Sequence, residues 1–170
     1  MEQKTLKLHL GCGTVYKEGY INVDYYDDSV RDLKADSKSL PFENNTVDLI
    51  EAHHLIEHYA YPEHKEVLNE WWRVLKPGGK LIMECPNIDV CMQLFLSNYG
   101  GQRWSYWRAT IYGLQTHPGQ FHKSGINPEY MHALLTICEF QNINFEPAIP
   151  SWGIDCNMRV VCTKGKKPAD

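Results

Sequence analysis

Leu8-His9-Leu10-Gly11-Cys12-Gly13, close to the start of the chain, is the stretch whose reading decides the fold. Lys7 to Leu10 reads as a short buried strand, and Gly11-Cys12-Gly13 as the turn that leaves it. Glycines just past a parallel strand let the backbone pass within contact distance of a ligand, because no Cβ intervenes. Two glycines alone would suit any tight turn. The next three apolar runs narrow the reading. Ile21-Asn22-Val23-Asp24 is a second run closed by a carboxylate, Leu33-Lys34-Ala35-Asp36 a third, and Thr46-Val47-Asp48-Leu49-Ile50-Glu51-Ala52 a fourth strand. Strand ends that carry Gly or a carboxylate converge on one crevice of a parallel sheet, which here has the shape of a nucleoside site.

Working outward, 170 residues suit one domain, residues 1–170, large enough to bury a core without staples. The hydrophobic fraction of 43% and charged fraction of 22% are those of a soluble globular protein. A net charge of -4 and a pI near 6.0 argue against a general nucleic-acid binder, which needs a basic face. Arg103, Arg108, His117, His122 and Lys123 could still form a local basic patch. The six cysteines contain no C-x-x-C pair and read as buried reduced thiols. The N-terminus has no apolar signal region, and no run approaches the roughly 20 apolar residues of a membrane helix. A soluble, cytoplasmic protein is expected.

Only Thr14 to Tyr20 separate the first two strands, too few for a full crossover helix, so a shortened first helix is expected. The dinucleotide fingerprint fails as well, since its third glycine would fall at Tyr16 and Asp24 comes well short of the usual ~20 residues. Asp24 could accept hydrogen bonds from both ribose hydroxyls, the competing reading being a solvated carboxylate in an acidic loop. Asp36 could take the exocyclic amine of an adenine, with Ser37 at a ring nitrogen, or could cap a helical turn. The fourth strand delivers His53-His54, followed by Glu57-His58 and His64. His53 at the strand tip is expected to line the crevice, while His58 reads equally as a structural hydrogen-bonder. His54 and His58 are spaced i, i+4, but the H-E-x-x-H order is absent, and no metal is expected.

Pro62 to Lys76 reads as a helix, with Val67, Trp71 and Leu75 on one face and Pro77-Gly78-Gly79 as its stop. A strand is expected over Lys80 to Glu84 and a helix over Ile88 to Leu96. Arg103-Trp104-Ser105-Tyr106-Trp107-Arg108 through Tyr112 is the densest aromatic and basic patch. Its rings and arginines suit sugar or base stacking, or packing on the core, and a loop placement favours substrate contact. Trp104, Trp107, Arg108, Tyr112 and His117 are the substrate-side candidates. Pro128 to Phe140 reads as an amphipathic helix capped by Asn127, and Ile143–Glu146 with Met158–Thr163 as an edge hairpin. The polar tail 164–170 is expected to fray.

Taken together, Leu8-His-Leu-Gly11-Cys12-Gly13, Gly19-Tyr-Ile-Asn-Val-Asp24, Ala35-Asp36 with Leu40-Pro41-Phe42, Val47-Asp48-Leu-Ile, Ile56-Glu57-His58 and Arg73-Val-Leu-Lys-Pro-Gly-Gly79 resemble a class I S-adenosylmethionine-dependent methyltransferase. Ile111-Tyr-Gly-Leu-Gln with Phe121-His122-Lys123-Ser-Gly and Glu139-Phe140 is similar to compact predicted methyltransferases of polysaccharide and glycan biosynthesis. The resemblance implies an α/β, Rossmann-like, mostly parallel seven-stranded sheet ending in an antiparallel hairpin. It makes 6–86 the cofactor-binding half, and 87–163 the substrate side with the terminal hairpin. It also implies S-adenosyl-L-methionine as cofactor, held at Gly11, Cys12 and Gly13, Asp24, Asp36 with Ser37, and His53 facing the sulfonium. A hydroxyl acceptor would need a base, and His122, then His53, are the candidates. The expected acceptor is a small molecule, a sugar or glycan precursor. A homodimer or partner could complete so small a site. A cofactor-binding but non-catalytic partner subunit is the alternative. The acidic charge disfavours an RNA methyltransferase, and the missing glycine disfavours a nicotinamide oxidoreductase.

Overall fold

Four-residue runs such as Lys7–Leu10 (β1) and Ile21–Asp24 (β2) become strands because they are buried on both faces, as strands inside a parallel sheet must be. In the computed structural model, which describes residues 5–97, 104–148 and 156–165, they join Leu33–Lys34 (β3), Val47–His53 (β4), Leu75–Pro86 (β5), Phe140–Glu146 (β6) and Asn157–Lys164 (β7). These strands form one seven-stranded sheet in the order β3-β2-β1-β4-β5-β7-β6. β1 to β5 pair in parallel, and β7 runs antiparallel to both β5 and β6. This is the Rossmann-like α/β sheet with a terminal hairpin that the sequence led us to expect.

The helices are Tyr61–Val74 (α1), Ile88–Ser97 (α2), Trp104–Tyr112 (α3) and Pro128–Ile137 (α4). Leu8, Leu10, Val23, Ile50, Leu81, Met83 and Val160 share one sheet face and form the core with Val67, Leu68, Trp71 and Val74 of α1 and Met131, Leu134 and Leu135 of α4. The other face carries Leu49, Ile82 and Val161 but is otherwise polar. His9 stands opposite Asn22 and Glu51, His53 opposite Glu84, and Glu84 opposite Arg159. The crossovers explain this asymmetry. Residues 11–20, 25–32 and 35–46 connect their strands by turns and loops, so the shortened first helix is no helix at all. The polar groups of this face are paired by contacts such as His9 Nδ1 with Asn22 Oδ1 at 3.1 Å and the ion pair of Lys17 with Glu51, while Glu84 Oε2 has no hydrogen bond among the described residues and lies 3.6 Å from Arg159 in an ion pair.

Several boundaries differ from expectation. α1 ends at Val74 because Leu75 is already extended (ψ 139°), and β5 starts there instead of at Lys80. α4 stops at Ile137, where Cys138 caps and Glu139 turns to φ +63°, instead of running to Phe140. Asn127 caps its start as expected, accepting from the Tyr130 amide at 2.9 Å. The patch from Trp104 to Tyr112 is helix α3, not a loop. Lys164 does not fray. It ends β7 nearly fully buried, its Nζ donating to Asn45 Oδ1 and the Trp72 carbonyl, both at 2.7 Å, and lying 3.7 Å over the Trp72 ring. Burial lowers the pKa of that ammonium. All six cysteines are free and buried. The link around Pro150-Ser151-Trp152-Gly153, Arg103 and the tail 166–170 lie outside the described residues.

Candidate functional site

At the carboxyl ends of β1, β2 and β4 a crevice of about 1380 Å³ opens, the place where open α/β sheets bind their ligands. Gly11, Cys12, Gly13, Asp24, Asp36, Ser37, His53, His117 and His122 all line it. Positions from opposite halves of the sequence therefore meet in one cleft.

The glycine turn is tied to the end of β2. Asp24 Oδ2 accepts from the Gly13 amide at 2.9 Å, while Oδ1 accepts from the Tyr26 and Asp27 amides, both at 2.8 Å. A carboxylate offers about four acceptor positions. Three are occupied, which leaves room for a further donor from the crevice. Gly13 itself has φ +49°, and a Cβ built there would meet nothing within 4 Å, so its backbone faces open space. Cys12 lies beneath; burial, and then the Asp24 and Asp27 carboxylates, push its thiol up to about 11. It is an inert packing thiol. Asp36 forms no helix cap. It accepts from the Lys38 amide at 2.9 Å and from the Tyr59 hydroxyl at 3.3 Å. The carbonyl of the neighbouring, buried Ser37 accepts from Trp71 Nε1 at 3.0 Å.

On the crevice floor Glu51 is buried and shared by Lys17 Nζ, the Tyr20 hydroxyl and His53 Nε2, the last at 3.2 Å. Burial alone would raise its carboxyl pKa, but these three donors hold it down to about 2. Glu51 is thus an anion that orients both Lys17 and His53. Neither Glu51 nor Lys17 stood out in the sequence. A carboxylate at a buried position inside the apolar run Val47–Ala52 was the available signal.

The far wall comes from the segment after α3. The helix ends at Gly113 (φ +79°), whose amide donates to the Ala109 carbonyl at 2.8 Å, a common helix C-terminus. The chain then doubles back, and His122 satisfies two of the helix's last carbonyls. Its amide donates to the Tyr112 carbonyl at 3.1 Å and its Nδ1 to the Thr110 carbonyl at 2.9 Å. Burial lowers the pKa of this imidazole. A Cβ on Gly113 would lie 1.9 Å from the Gln120 carbonyl oxygen and 3.0 Å from the His122 amide nitrogen. Gly113→Ala is therefore expected to push the 117–122 segment away from the wall, with faster amide exchange at His122 and a Tm lowered by several degrees. An exchange pattern identical to wild type would contradict this placement.

The substrate-side candidates divide. His117 lines the crevice 5.4 Å, ring to ring, from Tyr26. Trp107 does not. It is 3% exposed and packs with Cys91 and Cys156 in a small second core, which is what a tryptophan on the inner side of a helix does. Arg108 and Tyr112 are exposed on α3 and do not line the crevice. Trp104 opens α3, and its side chain lies outside the described residues. The aromatic rim is formed instead by Tyr16, Tyr25 and Tyr26, each at least half exposed.

Residues 8–83 match a family model described as a methyltransferase domain. No curated protein matches. Among solved structures, a SAM-dependent methyltransferase from Methanosarcina mazei is 16% identical, with a TM-score of 0.65 over 97% of this chain and 95% of that one. A SAM-dependent methyltransferase from Archaeoglobus fulgidus is 16% identical, with a TM-score of 0.68 over 94% and 86%. A putative methyltransferase of Haloferax volcanii, in complex with the Trm112 methyltransferase activator, is 15% identical, with a TM-score of 0.60 over 97% and 84%. At these identities the solved structures speak for the fold.

Proposed function

We propose that this chain, whose residues 8–83 match a methyltransferase domain on a Rossmann-like fold, is a class I S-adenosylmethionine-dependent methyltransferase that transfers a methyl group to a hydroxyl or amine of a small molecule, a sugar or glycan precursor. The cofactor is S-adenosylmethionine, and the residues present fit it. The open approach to the Gly13 backbone suits close contact with the methionine part. The remaining acceptor capacity of Asp24 suits a ribose hydroxyl, and Asp36 with Ser37 suits the adenine. Lys17 and Glu51, side by side, offer opposite charges to a zwitterionic amino-acid end.

When bound, this cofactor supplies a methyl group on a sulfonium, already an excellent leaving group. The protein's task is therefore alignment of the acceptor and exclusion of water. His53, held by Glu51, and His122, held by Thr110, face the crevice and are the groups that would take a hydroxyl proton. The observation that carries the proposal is the convergence of the glycine turn, Asp24, Asp36 and His53 in one crevice far larger than a nucleoside needs. The tyrosine rim suits a sugar face.

A second reading makes the chain a cofactor-binding, non-catalytic partner of another subunit. It is favoured by the Haloferax volcanii structure, which is a complex with an activator. One experiment separates the two. The isolated protein is incubated with methyl-labelled cofactor and a panel of sugars, nucleotide sugars and amines. Label in one acceptor class, lost in His53→Ala, supports the transferase. Cofactor binding without transfer to any acceptor supports the partner role.

A further inference from the structure

We propose that Glu57, His58 and His122 form a binding site for a first-row divalent cation on the wall of the crevice. Each offers one ligand atom, and the three atoms lie within 4.8 Å of one another. A cation bound at roughly 2.0–2.2 Å to each would sit between them after small side-chain rotations.

Two independent observations point to a ligand. The first is Glu57, which is 2% exposed. Its Oε1 pairs with His54 Nδ1 at 3.3 Å, but its Oε2 is buried with no hydrogen-bond partner among the described residues. An orphaned buried carboxylate oxygen is costly, and a bound cation removes that cost. The second is the orientation of both imidazoles. His58 Nδ1 donates to the Phe121 carbonyl at 3.1 Å, and His122 Nδ1 donates to the Thr110 carbonyl at 2.9 Å. Each Nε2 is thereby left as a lone pair, the arrangement in which metal-binding histidines are held by backbone carbonyls behind them.

Backbone pairing brings the trio together. Glu57 and His58 follow β4 in a short 3-10 turn, Ile56–His58. The amides of Lys123 and Ser124 donate to the Glu57 carbonyl at 2.8 and 3.3 Å, which seats His122 beside them, the His58 and His122 rings 4.8 Å apart. One carboxylate with two imidazoles suits Mn²⁺, Fe²⁺, Co²⁺ or Zn²⁺ and leaves coordination positions open. His58 and His122 line the crevice that His53 also lines, so those positions are open to the crevice, where water or an acceptor oxygen would bind. That last role rests on the methyl-transfer reading and would leave His53 as the proton acceptor; the cation site itself stands without it.

The test is titration of the metal-free protein with Co²⁺, then Zn²⁺ and Mn²⁺, without cofactor, read by visible absorption, calorimetry and thermal shift. One saturable equivalent is expected, with visible bands from Co²⁺ and a raised Tm. Affinity should fall by at least about tenfold, the smallest loss expected even for an outer-shell partner, in His122→Ala and in Glu57→Gln, and stay unchanged in His132→Ala, an exposed histidine of α4. Because Glu57 is buried, folding of its variant is checked by circular dichroism; if it does not fold, His122→Ala and His58→Ala decide. Absence of saturable binding, or binding retained in the ligand variants, overturns the site. Cofactor binding, measured separately on the same protein, is unaffected by either result.

Discussion

Asp24→Ala is expected to weaken S-adenosylmethionine binding by about 100-fold, roughly 2.8 kcal/mol, in a protein that still folds. The carboxylate does two jobs. Its oxygens hold the amides of Gly13, Tyr26 and Asp27, which fixes the glycine turn against the loop after β2. Its remaining acceptor position is offered to the crevice. Hydrogen bonds to a charged acceptor contribute about 1.5–3 kcal/mol each, so removal of the carboxylate loosens the turn and deletes the ligand contact together. The freed amides belong to exposed or partly exposed loop residues where water can replace the lost acceptor, so the cost falls on binding more than on folding. Asp24→Asn, which keeps one acceptor oxygen, should fall between the two. Equilibrium dialysis with labelled cofactor reads all three proteins. Equal affinity in wild type and Asp24→Ala would remove Asp24 from the site.

Trp71→Ala should give the largest loss of stability of any single change to α1. The side chain is fully buried between α1 and the sheet, and its indole N–H is spent on the Ser37 carbonyl. Truncation of a buried tryptophan costs about 3–5 kcal/mol. At about 2–4 °C per kcal/mol for a chain of this size, the melting temperature should drop by roughly 6–20 °C. Trp71→Phe keeps most of the packing and loses the hydrogen bond, so about 1–2 kcal/mol is expected. Ser37 lines the crevice, so cofactor affinity should weaken in both variants even below their melting temperatures. Urea and thermal melts check the stabilities. A Trp71→Ala protein melting within about 2 °C of wild type would contradict the packing account.

The first half of the fold was legible because its signals are local. Strand runs, the glycine turn and the carboxylates at the ends of β2 and β3 sit within a few residues of one another. Contacts between distant segments were not legible. Trp107 reads as a ligand-stacking ring until its partners Cys91 and Cys156 are known, and Cys156 lies near the other end of the sequence. Lys164 reads as the start of a frayed tail, yet Asn45 and the carbonyl of Trp72 hold it. The histidines near β4 show no metal spacing by themselves, because the third member, His122, arrives only through the pairing of residues 123 and 124 with Glu57. The polar face of the sheet was not read from the sequence. His9 and Glu51 interrupt apolar runs, but the donors that make them acceptable come from the loop 14–20 and from neighbouring strands.

The central claim is that the crevice at the ends of β1, β2 and β4 holds S-adenosylmethionine. A crystal grown with saturating S-adenosylhomocysteine, the demethylated product, tests it most directly. The account predicts density with the ribose at Asp24, the adenine beside Asp36 and Ser37, and the sulfur facing His53. A well-ordered crystal with the product absent from this crevice, or bound elsewhere on the protein, would contradict it.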